Sequence, residues 1–451
     1  MKRATPDELE SFMKANADLE AVEAFITDPN GVARGKLLRA SELAALFRSG
    51  RPLPGSILSM DITGMEVEQT GLIWDVGDAD KLAFPVAGSL RRASWRSVPT
   101  AHVLLGLYEP DGTPHVADPR HVLASVVGRL EAAGYAAVVA AELEFYVVDP
   151  RRGADGLLQP PLTRHGRLHH IDGFSVTELG EFSPFLDELF AVARSMDLPA
   201  ETAISEYGPG QLEIVLRHRA DALRAADEAV QWKRVVRGVA AKHDLLATFM
   251  AKPFTGRAGS GLHIHASLDD DRGHNAFASP DPRGTPLMRH AIGGLLATLD
   301  ESMGIFAPNA SSYRRFQDAS YAPISRTWGV NNRSVAVRVP TGAAETRHLE
   351  HRVAGADANP YLAIAAVLAG MHKGIVERID PGPPVEGNGY GGPRLPNDWS
   401  DALRRMRASS FLETYFGARF VEIYHALKAA EYQRYNAQVT TLDLDWYLTR
   451  A

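Results

Sequence analysis

The stretch Val138-Val-Ala-Ala-Glu-Leu-Glu-Phe-Tyr-Val-Val148 reads as a buried β-strand that carries two glutamates one residue apart. Strand alternation sends Val139, Leu143, Phe145 and Val147 to one face and Glu142 and Glu144 to the other. Two like charges held that close on a rigid strand repel unless something neutralises them, and the usual neutraliser is a divalent cation. An isolated Glu-x-Glu more often marks a half-exposed strand with a solvated acidic face, so the decision falls to the rest of the chain.

Three later segments also place charged or imidazole side chains on strand-like runs. Gln211-Leu-Glu-Ile-Val-Leu216 sets Glu213 opposite Leu212 and Ile214, shortly after Glu206 in the turn Ser205-Glu-Tyr-Gly-Pro-Gly210. Gly259-Ser-Gly-Leu-His-Ile-His-Ala-Ser267 sets His263 and His265 on one face, behind glycines that let a ligand approach the backbone. His348-Leu-Glu-His-Arg352 sets Glu350 beside Arg352. A pair of histidines two apart is by itself more often structural than ligating. Five carboxylates, Glu142, Glu144, Glu206, Glu213 and Glu350, with His263 nevertheless make oxygen-rich coordination suited to two or three Mg²⁺ or Mn²⁺ ions.

Composition narrows the class. The 451 residues exceed one ordinary domain and suit two. A net charge of −7, with acidic and basic residues interspersed, argues against a nucleic-acid partner. With no cysteine, disulfides and thiolate metal sites are excluded. Met1-Lys-Arg-Ala-Thr-Pro-Asp-Glu-Leu-Glu reads as a capped helix start with no apolar signal-peptide run behind it. The longest apolar helical run, Tyr361 to Met371, is too short to span a bilayer and reads as a core helix, so no membrane is expected.

The expected fold class is α+β, in two unequal domains at 17–112 and 117–451. Val22 to Leu38 reads as a hairpin, two alternating runs joined by a Pro-Asn-Gly turn, and Ala101 to Leu107 as a further strand of the first sheet. Asp118-Pro-Arg-His opens an amphipathic helix that marks the boundary. Pro381 to Pro396 is the one long loop-like segment. Gly387-Asn-Gly-Tyr-Gly-Gly392 fits G-x-G-x-x-G, but no strand precedes it and no helix follows, so it is not a dinucleotide site. Gly31-Val-Ala-Arg-Gly-Lys36 is one residue short of a phosphate loop and falls inside the hairpin.

Five blocks in this order resemble the glutamine synthetase superfamily over nearly the whole chain: Glu142-Leu-Glu144, Glu206 followed by Gly210-Gln-Leu-Glu213, Gly259 to His265, Asn332-Arg-Ser-Val-Ala-Val-Arg338, and Glu350-His-Arg352 leading into Asn359-Pro-Tyr361. The resemblance implies a small N-terminal β-grasp-like domain and a larger catalytic domain whose curved antiparallel sheet, flanked by helices, carries the metal ligands. It implies a cytoplasmic ATP-dependent ligase and a ring-shaped homo-oligomer, commonly a dodecamer of two hexameric rings, in which one subunit's first domain completes its neighbour's site. Carried over by position, Glu144, Glu206 and Glu213 hold the metal nearer glutamate, and Glu142, His263 and Glu350 hold the metal bridging ATP phosphates. Gly259, Arg315 and Arg352 bind glutamate, Arg333 stabilises the transferred phosphoryl group, and His265, Ser267 and Arg338 contact ATP.

The departures from assimilatory glutamine synthetases are informative. Those enzymes follow the glutamate-binding arginine with a loop ending Glu-Ala-Pro, whose glutamate closes over ammonium. Here Arg315-Phe-Gln-Asp-Ala-Ser-Tyr-Ala-Pro323 puts Tyr321 in that place, and a phenol does not supply the charge. The usual Asn before Gly-Ser-Gly is Ala258, the Asp-Gly-Ser-Ser block survives only as Met60-Asp-Ile-Thr-Gly64, and no tyrosine precedes Leu395-Pro396, where bacterial enzymes are adenylylated. With Trp328-Gly-Val-Asn-Asn-Arg333 and Gly77-Asp-Ala-Asp80, this pattern resembles the γ-glutamylpolyamine synthetase branch, which joins glutamate to an organic amine in amine catabolism. Asp61 and Tyr321 are then expected in the amine pocket, with Asp61, or another carboxylate of the 61–80 stretch, orienting the amine and taking its proton. The stretch 61–80 carries Asp61, Glu66, Glu68, Asp75, Asp78 and Asp80 with no Lys or Arg; it reads equally as an amine-attracting lining or a solvated acidic loop. An ammonia-using synthetase and a non-catalytic homologue are the alternatives, the second disfavoured by the complete ligand set.

Overall fold

The computed structural model describes residues 3–451. The first helix, α1 (Pro6–Ala15), starts as its sequence demands: the Thr5 hydroxyl accepts from the Glu8 amide, and Pro6 occupies the first turn, where no amide is needed. The expected hairpin is formed by β1 (Ala21–Thr27) and β2 (Ala33–Arg39). Asp28 Oδ1 accepts the Asn30 and Val32 amides across its turn, and Gly31 takes φ +77°. After α2 (Leu43–Ser49) come β3 (Arg51–Pro54), β4 (Asp80–Pro85), β5 (Arg91–Arg92) and β6 (Thr100–Tyr108). They complete a six-stranded sheet of order β2-β1-β6-β4-β3, with β5 on β6 and the β1–β6 pair parallel.

Asp118 caps α3 (Pro119–Ala132), which leads into β7 (Ala136–Val148), the strand quoted at the outset. A small hairpin, β8 (Leu162–Thr163) with β9 (Gly166–Arg167), and helices α4 (Val176–Glu181) and α5 (Ser183–Ser195) precede β10 (Ala200–Ser205) and β11 (Gln211–Leu216). Then follow α6 (Ala222–Lys242), β12 (Leu246–Thr248), β13 (Leu262–Asp269), α7 (Pro286–Phe306), β14 (Trp328–Val330), β15 (Val337–Val339) and β16 (Leu349–His351). These strands form an eight-stranded curled sheet of order β10-β11-β7-β13-β16-β15-β14, with β12 also on β7. Every pairing is antiparallel except β14 with β15, where the chain turns through Asn331 at φ +49° and returns in the same direction. That edge departs from the fully antiparallel sheet expected.

The run Tyr361 to Met371 lies in α8 (Pro360–Glu377), whose N-terminal two-thirds is buried against α7, as a core helix should be. Helices α9 (Trp399–Arg407), α10 (Ser410–Phe416), α11 (Ala418–Asn436) and α12 (Thr441–Tyr447) finish the chain. Buried side chains fall into two clusters. The larger joins the curled sheet to α3, α5, α6, α7 and α8, and the smaller fills the first sheet, with Ile423 and Leu427 of α11 reaching into it. Among the described residues no helix is long and apolar enough to cross a membrane.

Candidate active site

Register brings together what spacing alone could only assign to faces. Glu144 of β7 lies opposite Glu213 of β11, and Glu142 opposite His263 of β13. His265 of β13 lies opposite Glu350 of β16, and Glu350 opposite Arg338 of β15. One-residue slips would send these groups into the apolar core, so the buried faces of the strands fix the arrangement.

Two triads result. Glu142, His263 and Glu350 offer ligand atoms all within 4.8 Å of one another, and so do Glu144, Glu213 and His263. His263 Nδ1 stands 2.5 Å from Glu142 Oε1, and its Nε2 stands 3.8 Å from Glu144 Oε1. Hard carboxylate oxygens with one imidazole fit Mg²⁺ or Mn²⁺.

The crowding shows in the protons these groups hold. Burial, then Glu142, Glu144 and Glu206, pushes Glu213 far above the carboxylate range; burial, then Glu144 and Glu142, pushes Glu206 up to about 7. Burial also opposes ionisation of Glu142, yet hydrogen bonds from His263 and His265 hold its carboxyl well below the usual range. Glu350 is held low against its burial by Arg352, then by His265 and His263. A face that ionises some carboxylates and must protonate others is short of positive charge, which a divalent cation supplies.

The arginines are fixed beside this face. Arg338 Nη1 donates to Glu350 Oε2 at 2.8 Å, and Arg352 pairs with the other oxygen. Buried Arg315 donates to the Val353 and Arg352 carbonyls at 2.8 and 3.2 Å. It can pass so close because two neighbours lack side chains. A Cβ on Gly259 would stand 2.7 Å from Arg315 Cγ, and one on Gly261 would stand 2.7 Å from Arg315 Nη2. The Gly261 amide also donates to Glu144 Oε2 at 2.7 Å.

Of the remaining sequence-predicted residues, Ser267 is buried further along β13, and Arg333 is exposed beyond β14, where its charge partly offsets the rise at Glu206. Tyr321 is exposed at φ +56°; its amide donates to the Tyr390 hydroxyl at 2.9 Å, and its ring centroid lies 6.2 Å from that of Tyr207. Asp61 does not join the acidic face within one chain. Its carboxylate is buried, with Oδ1 accepting from the Thr63 amide and hydroxyl and from the Met65 amide, and Oδ2 facing Arg434. It lines a separate cavity of about 1050 Å³ with Asn30, Lys233, Arg237, Asn309 and Glu431. Of its acidic neighbours, Glu66, Glu68, Asp75 and Asp80 are exposed, and Asp78 accepts from the Ser56 amide.

His348, which meets the site through His265, escaped the sequence reading, as did the neighbouring aromatic pair Tyr207 and Phe174. His348 Nε2 lies 3.1 Å from His265 Nδ1, and its own Nδ1 lies 2.8 Å from the Thr346 carbonyl; two positions before Glu350, it shared that strand's alternation. Tyr207 directly follows Glu206. Phe174 packs on Tyr207 from a loop that carries no periodic signal.

Residues 116–447 match the family described as "Glutamine synthetase, catalytic domain". The chain belongs to the glutamine synthetase family. Within that family it is 38% identical over 452 residues to the Gamma-glutamylputrescine synthetase PuuA of Escherichia coli (strain K12), covering 99% of this chain and 96% of that protein. It is 32% identical over 454 residues to a Glutamate--isopropylamine ligase of Pseudomonas sp, covering 96% and 95% of the two chains. Among solved structures, the GmaS/ADP complex in its conformation 1 aligns with TM-score 0.85 at 27% identity, over 98% of this chain and 99% of that one. The similarity therefore lies with the γ-glutamyl amine ligase branch of the glutamine synthetase family.

Proposed function

We propose that this protein is a carbon–nitrogen ligase that joins the γ-carboxylate of glutamate to an organic amine, with ATP converted to ADP and phosphate. The observation that carries this reading is the single face on which Glu142, Glu144, Glu213, His263 and Glu350 stand beside Arg315 and Arg352; the resemblance adds aromatic Tyr321 at the position it assigns to a carboxylate in ammonia-using enzymes.

A carboxylate does not condense with an amine at neutral pH, because its delocalised anion repels nucleophiles. A γ-carboxylate oxygen of glutamate therefore first displaces ADP from the γ-phosphorus of ATP, giving γ-glutamyl phosphate. The amine nitrogen then attacks the acyl carbon, the bond to the phosphate oxygen breaks, phosphate leaves, and the nitrogen gives its proton to a base. Divalent cations, when bound, screen the charge of the phosphates. Glu144, Glu206 and Glu213 would hold one cation and Glu142, His263 and Glu350 another, of two or three Mg²⁺ or Mn²⁺ in all. Gly259 leaves room for Arg315, which with Arg352 orients glutamate; both guanidiniums are fixed beforehand. Arg333 meets the moving phosphoryl group, and His265, Ser267 and Arg338 the rest of ATP.

The proposal extends to assembly. Exposed Ile62, Met65, Trp74 and Val76 interleave with exposed Glu66, Glu68, Asp75 and Asp80. This mixture suits burial against another copy of the chain, and the family resemblance suggests the form: a dodecamer of two hexameric rings in which domain 17–112 of one copy meets domain 117–451 of the next. Asp61 shapes that loop from within, and an exposed carboxylate of the stretch, rather than Asp61 itself, meets the amine. ATP and glutamate as substrates support a cytoplasmic setting. The test is glutamate-dependent phosphate release from ATP with ammonium, ethanolamine, alkylamines, aniline and diamines. Activity with organic amines supports the proposal; activity with ammonium alone restores the assimilatory reaction, and none with any nucleophile restores the non-catalytic homologue.

A further inference from the structure

Resting on the amine-ligase reading, we infer that Phe174, Tyr207 and Tyr321 form the wall that holds the carbon chain of the acceptor, and that they select a primary amine with an aliphatic chain over ammonium. Tyr207 directly follows Glu206, whose carboxyl lies within electrostatic reach of Glu144 and Glu142. Its centroid lies 6.0 Å from that of Phe174 at an interplanar angle of 83°, and 6.2 Å from that of Tyr321 at 35°. The three are 60%, 43% and 57% exposed. Single exposed aromatics are ordinary, whereas three that meet through Tyr207 make a surface that gains by being covered.

The backbone supplies an independent observation. Phe174 and Tyr321 sit in the left-handed region, at φ +63° and +56°. The other non-glycine residues described there are Asp, Ala, Asn and Arg; these two are the aromatic ones. A bulky side chain takes that conformation only where its surroundings impose it, and such positions gather at ligand sites. Here the Phe174 amide is fastened to the Ser205 carbonyl at 2.7 Å, and the Tyr321 amide to the Tyr390 hydroxyl. Two separate loops are thus held in unfavourable conformations with their rings turned to the same tyrosine. The backbone at Gly173 also lies against Tyr207, within van der Waals reach of its ring. Aromatic faces take up methylenes and attract the partly positive carbons next to an ammonium, and ammonium itself brings no methylenes to cover the rings.

The test uses full-length protein with Mg²⁺ and saturating glutamate and ATP, and measures kcat/KM for ammonium, hydroxylamine and straight-chain primary amines from methylamine to hexylamine. Wild type should gain about fourfold per methylene over the length of the wall. Phe174→Ala and Tyr207→Ala should flatten that slope, so that the ratio of hexylamine to hydroxylamine falls about tenfold or more. Tyr207→Leu, which keeps apolar area, should retain more of the slope than Tyr207→Ala. Thermal shifts on adding ATP identify folded variants, and Tyr207→Leu decides the matter should an alanine variant not fold. Wild type using amines with the same slope in every folded variant would overturn the wall while leaving the ligase reading intact. Wild type using ammonium and no amine would overturn both.

Discussion

Glu142 and His263 are direct cross-strand partners, with the imidazole Nδ1 2.5 Å from the carboxylate, and this one histidine also belongs to the triad of Glu144 and Glu213. A metal centre built on that contact concentrates its dependence in few side chains. His263→Ala and Glu144→Ala should each lower kcat by more than about a hundredfold, beyond the 10–100-fold typical of residues that only support ligands. Thermal unfolding should change little. Near wild-type turnover in both variants would contradict the ligand assignment.

Glu350 should behave differently, because it also partners two arginines. Glu350→Ala leaves Arg338 and buried Arg352 without their carboxylate, a loss of about 3–5 kcal/mol for a broken buried pair. Denaturant unfolding should show Glu350→Ala well below His263→Ala in stability, with both inactive. Equal stability would mean that water satisfies those arginines.

The pH dependence follows from Glu206, whose proton is held to about 7 rather than to the ordinary 4.5. Between these values the folded, metal-free protein binds that proton more tightly than the unfolded chain does. Its contribution to stability is full below about 4.5 and is lost as pH rises through about 7. A cation must displace this proton and the one on Glu213, which is held more tightly still, so Mg²⁺ affinity should fall as pH falls, more steeply below about 7, and binding at pH 6 should release protons. Calorimetry in two buffers of different ionisation enthalpy measures this directly; identical heats in both would count against it.

Asp61 and Arg434 form a pair that ties the acidic loop to α11, where Glu431 also accepts the Ile62 amide. If Asp61 shapes the loop, Asp61→Asn and Arg434→Ala should raise KM for the amine to a similar extent and leave those for glutamate and ATP within about twofold. An effect on amine use from Asp61→Asn alone would mean that its carboxylate meets the amine after all.

How much of this was legible in the chain depends on the range of each interaction. The strand at 138–148, the 22–38 hairpin, the capped helices and the core helix at 361–371 are specified by neighbours in sequence, through alternation, turn residues and caps, and the structure contains all of them. The face carrying Glu142 and Glu144 was equally local. The pairing of Glu142 with His263 and of Glu144 with Glu213 is set by register between distant strands, which spacing does not encode; there the family blocks supplied what periodicity could not. The partners of Asp61 were not legible either: its oxygens are taken up by Thr63, Met65 and Arg434, the last of these distant in sequence. Phe174 left no trace because loop residues have no periodicity to betray a face.

The central claim is that an organic amine, and not ammonia, is the nucleophile. It is tested most directly by kcat/KM for ammonium against a panel of primary amines and diamines, at saturating glutamate, ATP and Mg²⁺. The account predicts that at least one amine exceeds ammonium by about a hundredfold or more. Ammonium matching or surpassing every amine would contradict it and make the protein an assimilatory glutamine synthetase.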